Sequence, residues 1–483
     1  MGWQKVFRLV QSEYFILVPI LAFAFYMAFI PHLNYPYAVH IDEWVHIAHS
    51  NALLQTGGVY YPDPFSGQGT DRIALLEVGY HLPMAVFQRI SGISWMDIAR
   101  YFPSIFFMLM VLAVYIFARR LGFGWEAAFF TCLIPTTVGV LGPAFLVPVA
   151  IGLTFVPLLL FLVTNFKTVW SYLIIAASIS FMMVLHAPSA ILMITILVPF
   201  IILGLKGSRR HSLWLMLTIA VPLLVTLPWT YDLILSEAAL LLTPKPLPEY
   251  HDLPNILSEY GMLPIALCLL GTFVLATVGI RKGYSLVLSL LALLGLLSVF
   301  YTFHYGITML YVRGLLFAML FMSIVAGAGL MALRRLEFTW TAGLYLKKPR
   351  LMRTAGILLS LVIVGATLFT TIPARQSIPY YHMIDKADYE AFVWIEDNVS
   401  DEYDRAILDP WKATAFTAIT GKYVFTRIHT SPQPKDSQAY AFLKEGCVDS
   451  SLLLQNGISI VYTSAPCDNP DLTEIRENVY LLK

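Results

Sequence analysis

The residues best equipped for chemistry lie in one short run, His40-Ile41-Asp42-Glu43-Trp44-Val45-His46-Ile47-Ala48-His49. Two adjacent carboxylates and three imidazoles follow directly on the first long apolar segment. Ionisable groups are costly at the edge of a hydrocarbon layer, so their clustering points to proton or metal chemistry at a membrane surface. On a helix, Asp42, His46 and His49 share one face at i, i+4 and i+7, and Glu43 meets His46 at i+3. Three uses follow. Asp42 can cap the helix by accepting backbone N–H groups. Asp42, His46 and His49 can hold a divalent metal such as zinc or iron, although no His-Glu-x-x-His run is present. Asp42 can serve as general base toward an acceptor hydroxyl, with Glu43 or His46 orienting it.

Further groups recur near predicted membrane edges. His186, in Val184-Leu185-His186-Ala187-Pro188, stands at the end of a predicted span, where it faces a cavity or is a satisfied polar side chain. His304, Tyr305, Tyr311 and Arg313 fall between two later spans. Arginine binds phosphate bidentately, and the bland alternative is a side chain snorkelling to the interface. Lys245 lies in Thr243-Pro244-Lys245-Pro246-Leu247-Pro248, a proline-spaced loop that reads as a semi-rigid lid or as plain exposed chain. Asp63 and Arg72 complete the charged set of the first loop, and the Asp63-Pro64 step also favours a turn. No phosphate-binding glycine loop, dinucleotide fingerprint or nucleophile elbow occurs in a plausible context, so an activated donor has to arrive through the membrane or from outside.

These residues must be positioned by membrane helices. Of 483 residues, 58% are hydrophobic and 13% charged, against about 25% charged in soluble domains. Mean hydropathy is +0.71. A polytopic helical membrane protein is the expectation. With a net charge of +1 there is no nucleic-acid footprint. The opening polar residues carry Lys5 and Arg8, and the apolar run after them is too long for a signal-peptide core, so it reads as a retained helix. Stretches of about 20 apolar residues predict about eleven spans, including 103–119, 125–141, 143–164, 213–233 and 261–280.

One set of connections holds Lys5, Arg8, Arg119, Arg120, Lys167, Lys206, Arg209, Arg210, Arg281, Lys282, Arg334, Arg335, Lys347, Lys348, Arg350 and Arg353. The other holds Arg72, Arg89, Arg100, Lys245 and Arg313. This bias puts the N-terminus in the cytoplasm and everything after about residue 374 outside a plasma membrane. The expected organisation is a catalytic membrane domain over 1–373, whose first outer loop covers about 32–102, and an exterior α/β domain over 374–483. Within the loop, Glu43–Leu54 and Leu75–Ile90 read as interfacial helices. In the tail, Ala387–Asn398 reads as a helix, and Arg405–Leu408, Tyr423–Thr426 and Ile458–Thr463 read as strands. Cys132 and Cys268 fall in apolar spans. Cys447 and Cys467 fall together in the outer tail, where they form a disulfide or remain two thiols.

An acidic pair after the first span, interfacial helices, many further spans and a C-terminal outer domain resemble the GT-C glycosyltransferase superfamily. Its members include protein O-mannosyltransferases, aminoarabinose transferases and oligosaccharyltransferases. The resemblance rests on Ile41-Asp42-Glu43-Trp44 and Tyr61-Pro62-Asp63-Pro64-Phe65, and the small outer domain is similar to archaeal members. It implies a donor sugar on a polyprenyl phosphate such as dolichyl phosphate, with mannose as one candidate. The acceptor it implies is a glycan, lipid or protein. It further implies Asp42 as base, Glu43 as its acidic neighbour, and Arg313, by location, as a contact for the lipid phosphate. The first loop has no Asp-x-Asp and the tail no Trp-Trp-Asp. The resemblance therefore implies a lipid-monophosphate donor with no obligatory metal, a divalent metal remaining an option. His46, Asp63, Arg72, His186, Lys245, His304, Tyr305 and Tyr311 are the accompanying substrate-binding candidates. Rival readings are a metal-dependent membrane hydrolase using Asp42, His46 and His49, a transporter of lipids or small molecules, and a non-catalytic scaffold. A transporter would want ionisable groups at mid-membrane and internal repeats, which the central spans lack.

Overall fold

The computed structural model describes residues 13–69, 76–137, 140–241, 243–245, 253–277, 281–335, 349–428 and 433–483. In chain order its helices begin with α1 (Glu13–Phe29), α2 (Ile41–Thr56), α3 (Val78–Ser91), α4 (Trp95–Arg119), α5 (Gly124–Thr131) and α6 (Pro148–Asn165). They continue with α7 (Val169–Leu185), α8 (Ala187–Leu205), α9 (Arg209–Leu240), α10 (Leu253–Tyr260), α11 (Met262–Thr277) and α12 (Arg281–Phe303). The last six are α13 (Thr308–Arg335), α14 (Pro349–Gln376), α15 (Lys386–Asn398), α16 (Ala413–Thr420), α17 (Pro434–Lys444) and α18 (Ser450–Gln455). Among the described residues, eight helices are long and apolar enough to cross a membrane, nine if the bent pair α10–α11 is one span, and α7 is a shorter apolar helix. The protein is a multi-pass membrane protein.

The described spans number fewer than the expected eleven, and one reason is local. The segment expected as a span over 125–141 is helical only as far as Thr131. Pro135 and Pro143 lack the N–H groups a continuing helix would need. Instead, Thr136 Oγ1 accepts from the Ala144 N–H at 3.0 Å and closes a loop ahead of α6. The α10–α11 pair bends by 93° at Gly261, whose φ of +110° a side chain would resist.

The chain forms two compact units, residues 1–33 with 101–379, and 34–100 with 380–483. The first is the helical bundle. Its central element is α13, almost wholly buried from Tyr311 to Leu330. Gly271 of α11 and Gly329 of α13 let these helices touch backbone to backbone, since a Cβ on either would run into a carbonyl oxygen of the other helix. Such small-residue contacts are how helices pack in lipid, where the hydrophobic effect does not drive helix against helix. Tyr260 donates to or accepts from Ser323 at 2.8 Å, and Ser323 donates to the Phe130 carbonyl at 3.2 Å, tying α10, α13 and α5 together.

In the second unit the expected first outer loop and the tail pack together, each with its own apolar cluster. The tail carries a five-stranded sheet of β1 (Arg405–Ile407), β2 (Tyr423–Val424), β3 (Ile460–Tyr462), β4 (Leu472–Arg476) and β5 (Val479–Leu482). Their order is β2-β1-β3-β5-β4. β1 pairs parallel with β2 and β3, and β5 pairs antiparallel with β3 and β4. The tail helix and three strands fall where the sequence pattern predicts them, whereas β4 and β5, at the C-terminus, carry no clear alternation. One face packs Ile407, Phe425, Phe442, Leu453, Ile458 and Val461. Cys447 and Cys467 form a disulfide beside this core. The edge strand β2 is covered by the first loop: the Val424 N–H donates to the Phe65 carbonyl at 2.8 Å, and the Arg427 guanidinium lies 4.2 Å over the Phe65 ring. Covering an edge in this way removes a template for unwanted strand pairing. α2 is fixed on the same unit through Asn51, whose amide donates to the Ala418 carbonyl at 3.0 Å and whose oxygen accepts from Trp95 Nε1 at 2.7 Å.

Candidate functional site

The first turn of α2 divides its work between neighbours. His40, extended at the N-cap, accepts the Asp42 N–H on Nδ1 at 3.1 Å. Glu43 reaches back from the third helical position. Its Oε2 accepts from the Val39 N–H at 2.8 Å and the His40 N–H at 2.9 Å. Glu43 is fully buried. Orphan N–H groups at a helix start need acceptors, and this reciprocal box supplies them. The cap that the sequence allowed to Asp42 is thus made by His40 and Glu43. The Asp42 side chain keeps 40% of its surface exposed, with its carboxylate 3.9 Å from His40 Nδ1.

One turn further, α2 is buried against α3. His46 Nδ1 lies 3.0 Å from His81 Nε2 and 3.8 Å from Glu77 Oε2. Glu77 is the N-cap of α3 and His81 its fourth residue, so i, i+4 spacing puts both on one face. The three ligand-type atoms lie within 4.8 Å of one another, and no other His, Cys, Asp or Glu group among the described residues does so. The expected metal set of Asp42, His46 and His49 is corrected here. His46 turns to α3 while Asp42 stays in the exposed first turn. His49 Nδ1 meets the Tyr61 hydroxyl at 3.3 Å. Ligands one turn apart on a single helix stand about 5–6 Å apart at Cβ, so a compact set needs a second element. Tyr80, its ring 4.9 Å from His46, has its phenol pushed well above the usual range by burial, then by Glu43 and Glu77. It stays a neutral wall of this cluster.

On the other side of His40, the ring of Tyr381 lies 5.8 Å away and that of Trp411 5.5 Å beyond. Trp411 is 37% exposed. These aromatics, Glu77 and His81 were not among the sequence candidates. The Glu77-x-x-x-His81 spacing was a usable signal, but nothing local connects Tyr381 or Trp411 to Asp42.

The remaining candidates separate. Asp63 is committed to its own turn, accepting from the Phe65 N–H at 3.2 Å and the Ser66 hydroxyl at 2.7 Å. Arg72 lies outside the described residues. In the helical bundle, His186 caps α8, its Nδ1 meeting the Ser189 hydroxyl at 2.8 Å. Arg313 is buried in α13. Tyr311 is buried and stacks on Phe300 at 4.7 Å. The Lys245 N–H donates to the His304 carbonyl at 2.9 Å, and Tyr305 is exposed. α8, which His186 caps, packs against α13, which carries Arg313, although the sequence separates the two helices by more than a hundred residues.

No family model and no curated protein matches the sequence. Solved structures do match the fold. The apo oligosaccharyltransferase of Archaeoglobus fulgidus aligns with a TM-score of 0.66 at 12% identity, over 94% of this chain and 70% of that one. The archaeal oligosaccharyltransferase AglB from the same organism, in complex with an inhibitory peptide and a dolichol-phosphate, aligns at 0.64 and 14% identity, over 95% and 70%. ArnT from Cupriavidus metallidurans bound to undecaprenyl phosphate aligns at 0.55 and 14% identity, over 98% of both chains. The protein shares the fold of these membrane proteins.

Proposed function

We propose that this GT-C protein transfers a sugar from a polyprenyl-phosphate-linked donor to an acceptor hydroxyl at the outer face of the membrane, with inversion and with Asp42 as general base. The observation that carries the reading is the division of labour at the start of α2. Glu43 and His40 satisfy the helix terminus, and Asp42 keeps an exposed carboxylate beside them. Neighbours of the same fold were solved with a dolichol-phosphate and with undecaprenyl phosphate, which supports a lipid-phosphate donor.

In the proposed step the acceptor oxygen attacks the anomeric carbon while Asp42 takes its proton. The bond from that carbon to the phosphate oxygen breaks, and the phosphate leaves with the electron pair. One direct displacement inverts the centre. Proton removal by a positioned carboxylate contributes about 10²–10⁴-fold. Glu43 positions Asp42 by holding the turn rather than by touching substrate. Arg313, buried in α13, is the cation we assign to the lipid phosphate, because guanidinium stays charged and grips phosphate with two bonds. Trp411 and Tyr381 offer ring faces to an acceptor near His40. The cytoplasmic N-terminus and outer tail remain part of the proposal, resting on the Lys and Arg bias.

The test is transfer by purified protein from polyprenyl-phosphate sugars to a panel of glycan, lipid and peptide acceptors. Asp42→Asn should abolish transfer and leave binding of the lipid phosphate intact. A fully active Asp42→Asn enzyme would remove Asp42 from the mechanism.

A further inference from the structure

We propose that His46, Glu77 and His81 form a binding site for one divalent transition-metal ion of the zinc class, which clamps α2 to α3 without touching Asp42. The donor set is two imidazoles and one carboxylate, which suits zinc and its neighbours and does not suit magnesium, a cation that prefers oxygen ligands and retained water. The geometry agrees. Bonds of about 2.0–2.1 Å at tetrahedral angles put ligand atoms roughly 3.3 Å apart. The His46 Nδ1 to His81 Nε2 distance of 3.0 Å and the His46 Nδ1 to Glu77 Oε2 distance of 3.8 Å bracket that value. All three atoms fall within 4.8 Å of one another.

The surroundings are those of a built site. His46 and His81 are 9% and 1% exposed, and the Glu77 side chain 17%. Two ligands come from one rigid face of α3 and the third from α2, so the ion would join two helices that also meet through Leu53 and Ala85 and through the ring contacts His46–Tyr80 and His49–His81. Asp42 is a full turn before His46 on α2. The ion would thus hold the helix that carries Asp42, acting on geometry rather than on the reacting atoms.

The experiment uses the full-length protein in detergent, stripped with a chelator and dialysed. Zn²⁺ and, separately, Mg²⁺ are titrated while bound metal and the thermal unfolding midpoint are measured. The expected result is one Zn²⁺ per chain with a raised midpoint, and no rise with Mg²⁺. His81→Ala and Glu77→Gln should each weaken Zn²⁺ by about 100-fold or more, since even indirect ligand supports cost about 10–100-fold. Asp42→Asn should bind Zn²⁺ as the unaltered protein does. Sub-stoichiometric binding, or Zn²⁺ affinity unchanged in Glu77→Gln, would show only a His46–His81 hydrogen bond and overturn the site. Loss of binding in Asp42→Asn would overturn the assignment of ligands. None of these readouts depends on sugar transfer.

Discussion

Replacing Asp42 and Glu43 separately should produce opposite defects, although the two are adjacent carboxylates. Glu43 is fully buried, and its Oε2 takes two backbone N–H groups at 2.8 and 2.9 Å. Hydrogen bonds to a charged group contribute about 1.5–3 kcal/mol each, and a buried donor left unpaired costs about 1–3 kcal/mol. These describe the same two contacts, so they are not summed. Water reaching one of the two groups reduces the loss, and Glu43→Ala should destabilise the unit by about 2–4 kcal/mol. For a domain of 150–250 residues that is a fall of roughly 5–15 °C in the unfolding midpoint. Asp42 makes no comparable contact in the first turn. Asp42→Asn should leave the midpoint within about 1–2 °C, as for other exposed substitutions, while transfer falls by about 10²–10⁴-fold. The assay pairs thermal unfolding with initial transfer rates below the midpoint, where Glu43→Ala should keep much of its rate. An Asp42→Asn protein that melts as early as Glu43→Ala, or a stable Glu43→Ala protein that is catalytically dead, would refute this division.

Other changes read out different parts of the molecule. Arg313→Gln should weaken binding of polyprenyl phosphate by at least about 10-fold, the scale of one charge-assisted contact; unchanged binding by equilibrium titration would release Arg313 from that role. Cys447→Ser opens a loop whose ends are 20 residues apart, and the chain-entropy relation gives a loss of about 3 kcal/mol, measurable by denaturant unfolding of the full protein. Asp388 is 3% exposed and accepts from Lys412 Nζ and the Tyr462 hydroxyl, both at 2.7 Å. Asp388→Ala leaves both donors behind and should cost about 3–5 kcal/mol by the same measurement, without changing lipid-phosphate binding. Trp411→Ala should raise the acceptor KM more than it lowers kcat if its ring receives the acceptor, and an unchanged KM would count against that contact.

The sequence by itself determined what depends on composition and short-range periodicity. Long apolar runs bring out the membrane helices because hydrocarbon admits few other backbones. The i, i+4 pattern gives α2, and the alternation around Arg405, Tyr423 and Ile460 gives the first three strands. It also singled out Asp42 and Glu43 as the residues to explain. It offered the cap to Asp42 and could not show that His40 and Glu43 make it instead, because several side chains can reach an N–H within one turn. That choice was settled by burial of Glu43 against the backbone of Val39 and His40. Nor could it complete a metal set, since His46 lies on α2 and its partners Glu77 and His81 lie on another helix, after a separate turn. The packing of α8 on α13, and the pairing of Phe65 with Val424 at the sheet edge, likewise join residues distant in sequence. Such contacts cost loop-closure entropy that only the packed core repays, so they leave little trace in any local window. Local pattern locates most of the helices and the first three strands. Tertiary packing decides which side chains share a site.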